Sequence, residues 1–552
     1  MTARSFSATP SPPRFRVLLL VPPLLLTAVY MLVRLASGPY FLSANFDPDY
    51  VYLFNALNIA VGLAPVHTDH PGTPVQLLGA LWIKLHNAGA SDVDTAVNTI
   101  TNSEAWLGQL NLTVFILLLG AVSVGCSIIY RKSGEVLPAL LYPAGLAFLG
   151  GNIYCLGRFN PEPVLLFISL ALGLLIYCFS FPNQRLEPDS AGSSSAANSP
   201  LVFTLLTAFL VATGLATKVS FLPLALLPAF LIRGWRYKLV YFLFLLCFLA
   251  MWLLPDYREL ARMARWLRTL VTHAGRYGSG TPGLLDIHSY THNVITLALK
   301  NLPYILLIAI SFVLAVYGHF RTRTLGAPTS EQATAPAGTG QSSPTGILMA
   351  VSGCQLLQFL MTCKYEESRH LVPGMGLASL NLLLFGAPSG FAFAKRWLAM
   401  GTIALLLAGA TFAGVQLARL RQKTIEHLGV FEAGQSYAAD ARRIYGYGAS
   451  SPFYAWYFGN SFSGWHYGGL LSLMVPESDR IFFYSNFAKA YLNFRGLVSS
   501  NEVFQARGPI IFQTPPFGVS DPIYAWPSGL KLTEKFGTHS EKIYLLDPGV
   551  PQ

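Results

Sequence analysis

The feature that most constrains this sequence is a series of apolar runs, each of about 20 residues, that recurs over most of the chain. A helix of about 20 apolar residues is long enough to cross the ~30 Å hydrocarbon core of a bilayer. Of the 552 residues, 53% are hydrophobic and only 11% are charged, whereas about a quarter of the residues of a typical soluble protein carry charge. The sequence therefore predicts a polytopic α-helical membrane protein.

The apolar runs predict about eleven transmembrane helices. These lie at about 17–36, 106–129, 136–154, 163–181, 201–217, 219–232, 238–255, 302–317, 346–363, 371–386 and 397–417. Around Lys218 either two short spans or one longer helix fits, and we predict two, because one helix would invert every segment that follows. The first run resembles a signal peptide in its flanking charges, but it is long and has no small-residue cleavage site, so we predict an uncleaved span.

The distribution of basic residues predicts the orientation of the chain. Cytoplasmic loops of membrane proteins are enriched in Lys and Arg. With the N-terminus in the cytoplasm, the inner segments hold Arg131, Lys132, Arg185, Arg233, Arg236, Lys238, Arg321, Arg323, Lys395 and Arg396. The net charge of +11 is explained by this asymmetry, and we expect no nucleic-acid partner. The style of the sequence favours a bacterial inner membrane, with the C-terminus and the site on the periplasmic side.

Composition divides the chain into two domains. Residues 1–417 form the predicted membrane domain, with outer loops at 37–105 and 256–301 and cytoplasmic linkers, rich in small residues, at 182–200 and 324–345. Residues 418–552 are rich in Tyr, Phe, Trp and Gly and include short β-strand patterns at 481–484, 509–512 and 543–546. We expect a small extracytoplasmic α/β domain there. Most of its aromatic residues should pack in the core, and some are candidates for stacking on sugar rings.

The second outer loop contains a basic helix pattern. Arg258, Arg262, Arg265 and Arg268 recur at helical spacing, with apolar residues between them. This pattern predicts a helix in the plane of the membrane interface that suits anionic lipid headgroups or a lipid phosphate. The alternative is an ordinary solvated helix face. The glycine-rich segment 278–283 is predicted to act as a hinge for this loop.

The six cysteines do not suggest a metal site. Each lies in or at the end of an apolar run, and none has CxxC or Cys/His spacing. We expect buried, small, apolar side chains. Cys155 and Cys363 both fall near outer ends of spans, so a disulfide between them is open, although nothing requires it.

The first outer loop carries the strongest candidate site. Asp47 and Asp49 precede the aromatic residues Tyr50 and Tyr52, and His70 follows about twenty residues later in the segment Asp-His-Pro-Gly. Carboxylates beside a membrane are costly, so their presence indicates a function.

Further ionisable residues fall at the same predicted membrane depth. They are Arg158, Glu162, Lys218, Lys364, Tyr365, Arg369 and His370. Carboxylates and cations that converge at one interface describe a site that binds an anionic group and transfers protons. The alternative is plain ion pairing between helices, Arg158 with Glu162 or Arg369 with Glu366.

The order of these motifs resembles that of the GT-C glycosyltransferases, in particular the branch of the protein O-mannosyltransferases and aminoarabinose transferases. The shared order is an acidic-aromatic first loop, a His-Pro turn, Arg-x-x-Pro-Glu, a Thr-Lys between spans and a late Arg. The family typically has Asp-Glu-x-x-Tyr and His-Pro-Pro, whereas this chain has Asp47-Pro48-Asp49-Tyr50 and His70-Pro71-Gly72. These departures leave open which aspartate is the catalytic base, and whether a divalent cation binds at Asp47 and Asp49; no other cofactor or metal is expected.

The resemblance implies transfer of a sugar from a polyprenyl-phosphate donor to a hydroxyl of a lipid, glycan or protein acceptor, with inversion. An aspartate would act as general base, and Lys218, Arg158, Arg369 and His370 would face the leaving phosphate. A polyprenyl-linked glycan ligase, polymerase or oligosaccharyltransferase is the alternative enzyme. A transporter fits less well, because transporters place ionisable residues near the midplane on broken helices.

Overall fold

The computed structural model describes residues 17–43, 45–68, 72–181, 199–278, 280–324, 343–385, 395–437, 441–485, 488–504, 508–515 and 530–547. The segment Asp69-His70-Pro71 of the first loop lies outside these residues, as do nearly all of the two linkers that were predicted to be cytoplasmic.

The described part of the membrane domain is helical throughout. Its helices are α1 Val21–Ser37, α2 Phe46–Ala60, α3 Thr73–His86, α4 Asp92–Thr101, α5 Ser103–Ser133, α6 Val136–Ala144, α7 Pro161–Ser180, α8 Pro200–Thr217, α9 Leu222–Leu231, α10 Trp235–Trp252, α11 Leu260–Thr272, α12 Ile287–Lys300, α13 Leu302–Thr324, α14 Pro344–Thr362, α15 Val372–Phe385 and α16 Lys395–Gln435. Helix α6 continues as a 3-10 helix over Gly145–Gly157.

Nine of the helices found within the described residues are long and apolar enough to cross a membrane. They cover nine of the eleven predicted spans. The other two predicted spans, 219–232 and 371–386, correspond to α9 and α15, which have only 10 and 14 residues. A ten-residue helix is about 15 Å long, half of the hydrocarbon thickness. Helix α15 is buried almost throughout, whereas α9 is buried on one side and exposes Leu222, Leu226 and Phe230 on the other.

The chain reverses direction at Lys218, as the prediction of two segments requires. Lys218 has an extended backbone (φ −163°, ψ 134°) between α8 and α9. Phe209 of α8 packs on Phe248 of α10, and Thr213, one turn later, accepts a hydrogen bond from Trp252. These contacts advance in the same direction along both helices, so α8 and α10 are parallel and α9 must return the chain between them.

The two outer loops form short helices on one face of the bundle. The first loop contains α2, α3 and α4, and the second contains α11 and α12. In α11, Met263 and Leu270 are buried while Arg265 and Arg268 are exposed, as is Arg258 just before the helix. This is the amphipathic arrangement that the sequence predicted for a helix lying along an interface.

The C-terminal region is a sheet domain joined to the bundle by one continuous helix. Helix α16 has 41 residues, about 60 Å, so the boundary predicted at 418 falls inside it. The strands are β1 Arg442–Tyr445, β2 Ile481–Ser485, β3 Ala490–Asn493, β4 Gly496–Val498, β5 Ile510–Thr514, β6 Lys531–Gly537 and β7 Lys542–Asp547. They form a seven-stranded sheet in the order β4-β3-β2-β1-β5-β7-β6, in which β1 runs parallel to β2 and β5. The three predicted strands correspond to β2, β5 and β7.

Helices α17 Pro452–Ser461 and α18 Gly468–Met474 follow β1, and α19 Ser500–Phe504 precedes β5. The sheet domain packs directly on the first loop through α17. Phe46 contacts the rings of Tyr454 and Phe458, with centroids 5.2 and 4.8 Å away. Asn58 donates to the carbonyl oxygen of Ser463 at 2.9 Å. One hydrophobic cluster spans both regions, so the sheet domain helps to position the first loop.

Candidate active site

Asp47 and Asp49 have different environments. Both lie in the first turn of α2. Asp49 is fully buried, and its two carboxylate oxygens accept hydrogen bonds from the Arg158 guanidinium and from the backbone N–H of Phe159. The carboxylate of Asp47 is exposed. Of these two aspartates, Asp47 is the one that a substrate can reach, whereas Asp49 is enclosed by its hydrogen-bond donors.

Arg158 organises the start of α2. Besides binding Asp49, its guanidinium donates to the backbone carbonyl oxygens of Asn45 and Asp47, the latter at 2.8 Å. Asn45 is itself fixed, because its side-chain amide donates to the carbonyl oxygen of Ser37 at 2.6 Å. Burial raises the pKa of Asp49 above its usual value, and the charge of Arg158 opposes that rise. The backbone of Asp47 is thus held in place by a buried cation.

The occupied oxygens of Asp49 bear on metal binding. Divalent cations such as Mg²⁺ are held by carboxylate oxygens, but here both oxygens of Asp49 face hydrogen-bond donors, one of them a cation. A divalent cation shared between Asp47 and Asp49 does not fit this arrangement. Among the described residues, no group of three or more His, Cys, Asp or Glu could hold a metal ion.

A second buried ion pair lies one turn further along the chain. Glu162, at the start of α7, accepts a hydrogen bond from the Lys218 ammonium at 2.5 Å, and both side chains are almost completely buried. The other carboxylate oxygen of Glu162 has no hydrogen-bond partner within the described residues. Lys218 is available for this contact because the chain is extended there rather than helical.

Arg369 is the most accessible cation close to this pair. Its side chain is 25% exposed, lies 3.0 Å from a carboxylate oxygen of Glu367 and donates to the hydroxyl of Tyr277 at 3.1 Å. Burial alone would lower the pKa of Arg369, but the carboxylates of Glu162 and Glu367 raise it well above its usual value. The site therefore joins Glu162, Lys218 and Arg369 in one charged cluster.

The observed ion pairs differ from those considered from the sequence. Arg158 pairs with Asp49 rather than Glu162, and Arg369 pairs with Glu367 rather than Glu366. Glu366 pairs with Lys300, at 2.9 Å. Spacing along the chain favours neighbours, whereas the actual partners come from separate loops that the fold brings together. The six cysteines, all within the described residues, are free, so Cys155 and Cys363 form no disulfide.

Lys364 and Tyr365 hold the second outer loop. The Lys364 ammonium and the Tyr365 hydroxyl both donate to the backbone carbonyl oxygen of Leu270, at 2.5 and 2.8 Å. Leu270 lies in the last turn of α11, where carbonyl oxygens lack partners within the helix. His370 is buried behind this loop, and its carbonyl oxygen accepts from Gln358 at 3.0 Å. These three residues were predicted to bind substrate, and here they surround Arg369.

The first-loop tyrosines are structural neighbours of the aspartates. The buried Tyr50 hydroxyl donates to Glu104 at 2.8 Å. Tyr52 packs edge-on against His67, with centroids 5.7 Å apart. A Cβ atom at Gly72 would lie 2.2 Å from the Tyr52 ring, and Gly72 has φ +61°. This explains the glycine after the His-Pro pair, because proline cannot adopt a positive φ.

Sequence reasoning missed Asp256. It follows α10, is fully buried and accepts a hydrogen bond from the Thr73 hydroxyl at 2.5 Å. Its other oxygen has no hydrogen-bond partner within the described residues. Burial raises the pKa of Asp256 to about 6. The available signal was an aspartate placed directly after an apolar run, in the same position relative to the membrane as the first-loop aspartates.

Comparisons with known proteins bear on the fold. No protein-family model matches the sequence, and no curated protein sequence matches it. The structure is similar to that of ArnT from Cupriavidus metallidurans in the apo state, with a TM-score of 0.50 and 12% identity over 96% of this chain and 98% of that chain. It is similar to the same protein bound to undecaprenyl phosphate, with a TM-score of 0.50 and 11% identity over 98% of this chain and 99% of that chain. The chain is a multi-pass membrane protein that shares its overall fold with ArnT, in agreement with the fold that the order of its sequence motifs predicted.

Proposed function

We propose that this protein transfers a sugar from a polyprenyl-phosphate donor to an acceptor hydroxyl, with Asp47 as general base. The observation that carries the proposal is the exposed carboxylate of Asp47 on a backbone fixed by Arg158. Arg158, which holds the backbone of Asp47, lies only four residues before Glu162 in the same short turn. Asp47 is therefore close to the charged cluster of Glu162, Lys218 and Arg369. The fold shared with ArnT, one structure of which contains undecaprenyl phosphate, supports the same class of donor.

The proposed reaction is a direct displacement. The oxygen of the acceptor hydroxyl forms a bond to the anomeric carbon while the bond from that carbon to the phosphate oxygen breaks, so the configuration inverts. The hydroxyl proton passes to the carboxylate of Asp47, and the electron pair leaves with the polyprenyl phosphate. General-base assistance of this kind is typically worth about 10²- to 10⁴-fold in rate. The mechanism uses no metal ion.

The leaving phosphate needs positive charge rather than a proton. Arg369 suits this task, because it is the part of the charged cluster that solvent reaches and its guanidinium matches a phosphate in shape. Lys218 is buried against Glu162 and contributes a fixed charge behind Arg369. Preorganised charges of this kind stabilise the negative charge that grows on the leaving group.

Transfer in proteoliposomes tests the proposal. The wild type and the Asp47→Asn and Asp49→Asn variants would be given a panel of radiolabelled polyprenyl-phosphate monosaccharides and lipid-linked oligosaccharides, with membrane-extracted acceptors. We expect transfer from a monosaccharide donor to fall at least 100-fold in Asp47→Asn, while donor binding and thermal stability are retained.

The matched control is Asp92→Asn, since Asp92 is an exposed carboxylate at the start of another first-loop helix. It should transfer sugar at the wild-type rate. Full activity of Asp47→Asn would overturn the assignment of the base. Consumption of oligosaccharide donors alone would indicate an oligosaccharyltransferase, and no consumption of any donor would remove the transferase proposal.

A further inference from the structure

A cavity of about 460 Å³ opens in the sheet domain. One wall is α17 with the turn that follows it, and the opposite wall is the hairpin of β3 and β4. Tyr447, two residues after β1, and Ser485, the last residue of β2, line the space between them. Ligands of α/β proteins commonly bind outside the carboxyl ends of parallel strands, and β1 and β2 are parallel. The volume is within the range of small-molecule sites.

Aromatic rings form the floor and rim of the cavity. Tyr457 and Phe458 are each 5% exposed and lie at the floor, whereas Trp465 is 36% exposed. Trp465 has a left-handed backbone, with φ 64°, which is uncommon for a bulky residue. Its ring lies 5.7 Å from that of Tyr457. A strained backbone that holds an indole at the mouth of a cavity is typical of a ligand site rather than of core packing.

Polar groups accompany these rings. Ser461 and Ser485 are partly exposed, and Arg495 is exposed at the mouth. A sugar ring has an apolar C–H face that packs against an aromatic ring and hydroxyl groups at its edge that bond to polar side chains. A hydrocarbon chain could not form hydrogen bonds with the two serine hydroxyls or with the arginine. The lining therefore favours a carbohydrate, and Arg495 favours one with an acidic substituent.

The cavity adjoins the proposed base. Tyr454 and Phe458 line it, and both contact the ring of Phe46, the residue before Asp47. Phe462, also in the lining, packs against His67 of the first loop with centroids 5.7 Å apart. The cavity wall and the loop that carries Asp47 are thus parts of one packed unit.

We propose that this cavity is a carbohydrate subsite that binds a sugar ring of the acceptor, with Trp465 as the stacking surface and Arg495 selecting acidic sugars. The identification of the ligand as the acceptor rests on the proposed function. The proposal that the cavity binds a sugar does not rest on that function, so the subsite and the transferase activity can be refuted separately.

Saturation-transfer NMR on the full-length protein in nanodiscs measures such binding directly. The probes are cellobiose, digalacturonate and, for the lipid alternative, octanoate. We expect both disaccharides to bind, digalacturonate more tightly. Trp465→Ala should weaken both about tenfold, and Arg495→Gln should remove the preference for digalacturonate. The matched control is Phe536→Ala, because Phe536 is 37% exposed on β6, away from the cavity lining, and it should bind like the wild type.

Three results overturn the subsite: no binding of either disaccharide to the wild type, unchanged binding in Trp465→Ala, or displacement of both sugars by octanoate. Melting curves check folding, and Trp465→Phe, which keeps a ring, should retain binding within about threefold. If Trp465→Ala does not fold, the subsite is tested by the loss of preference for digalacturonate in Arg495→Gln. The Arg495 side chain is exposed, so this variant should fold. If the protein binds sugars but consumes no donor, the proposal of a carbohydrate subsite stands and the proposal of a transferase is wrong.

Discussion

Two charged turns meet at the candidate site, and they hold their charges differently. In the turn 158–162, Arg158 and Glu162 form ion pairs with Asp49 and Lys218 whose side chains are at most 4% exposed. In the turn 364–370, the side chains of the Arg369–Glu367 and Lys300–Glu366 pairs are 22–53% exposed.

The difference separates framework from binding surface. A buried pair is costly to open, because either partner left alone is an uncompensated charge. A half-exposed pair contributes little to stability and can exchange one partner for another anion. The turn 158–162 therefore fixes the geometry of the site, and the turn 364–370 is where the proposed function places the phosphate of the donor. The following variants are arranged from the largest expected effect to the smallest.

Breaking the buried pair should have the largest effect on stability. Glu162→Gln leaves the Lys218 ammonium buried without a carboxylate in contact, and we expect the free energy of unfolding to fall by about 3–5 kcal/mol. Denaturation in mixed micelles measures it. The control is Glu367→Gln, whose partner Arg369 is 25% exposed and which should lose less than about 1 kcal/mol. Equal losses in the two variants would show that the two turns do not differ in how much their ion pairs contribute to stability.

Asp256 adds a third case to the buried and exposed ion pairs, namely a buried carboxyl group that has no hydrogen bond to a cation. Its pKa of about 6 lies above the ordinary value of about 3.9, so the folded state holds a proton that the unfolded state has released. The contribution of Asp256 to stability is therefore greatest below about pH 4 and is lost as the pH rises through about 6, by about 2–3 kcal/mol in total. The nearby charges are Glu259, which favours the shift, and Arg262, which opposes it.

Asp256→Asn should remove this dependence. At pH 8 the variant should melt at a higher temperature than the wild type, and near pH 4 the two should agree. Asp92→Asn, at an exposed position, should keep the wild-type profile. A parallel profile for Asp256→Asn and the wild type would show that Asp256 does not titrate in this range.

The sheet domain offers the same comparison between a buried and an exposed carboxylate, Glu541 and Glu534, with a smaller expected effect. Glu541 is fully buried and accepts hydrogen bonds from the backbone N–H of Ser450 at 2.7 Å and from Gln513 at 2.6 Å, and its other oxygen lies 2.9 Å from His427 of α16. Glu541→Gln keeps the shape but not the charge, and we expect a loss of about 1–2 kcal/mol. Glu534→Gln affects only an exposed pair with Lys542 and should leave the melting temperature unchanged.

The sequence predicted the membrane domain well because its signals are local. Long runs of apolar residues specify helices, and the short apolar and aromatic runs of β2, β5 and β7 specify strands. The bounds predicted for α9 and α15 agree closely with the structure, in which both are shorter than the nine helices long enough to cross a membrane. An apolar run has the same appearance whether lipid or protein surrounds it. Burial of these helices inside the bundle is a property of the tertiary structure.

The sequence identified the charged residues of the candidate site, but it did not predict which of them pair. Asp49, Arg158, Glu162, Lys218 and Arg369 do come together. Their partners come from loops that are far apart in the sequence, so spacing could not show that Asp49 is enclosed by Arg158 while Asp47 is exposed. The buried oxygens of Asp256 were missed for the same reason, because its partner Thr73 is 183 residues away.

The smallest expected effect tests whether the exposed pair can exchange partners. In Glu367→Gln the Arg369 guanidinium loses a competing carboxylate 3.0 Å away, so a phosphate should bind there more readily. We expect the KM for the polyprenyl-phosphate donor to fall about threefold, which corresponds to the few tenths of a kcal/mol typical of an exposed pair. Steady-state transfer measures it, and Glu366→Gln, which frees Lys300 instead, should leave the KM unchanged. If both variants behave alike, general electrostatics accounts for the result. If the KM rises in Glu367→Gln alone, Glu367 positions Arg369 rather than competing for it, and the turn 364–370 belongs to the framework after all.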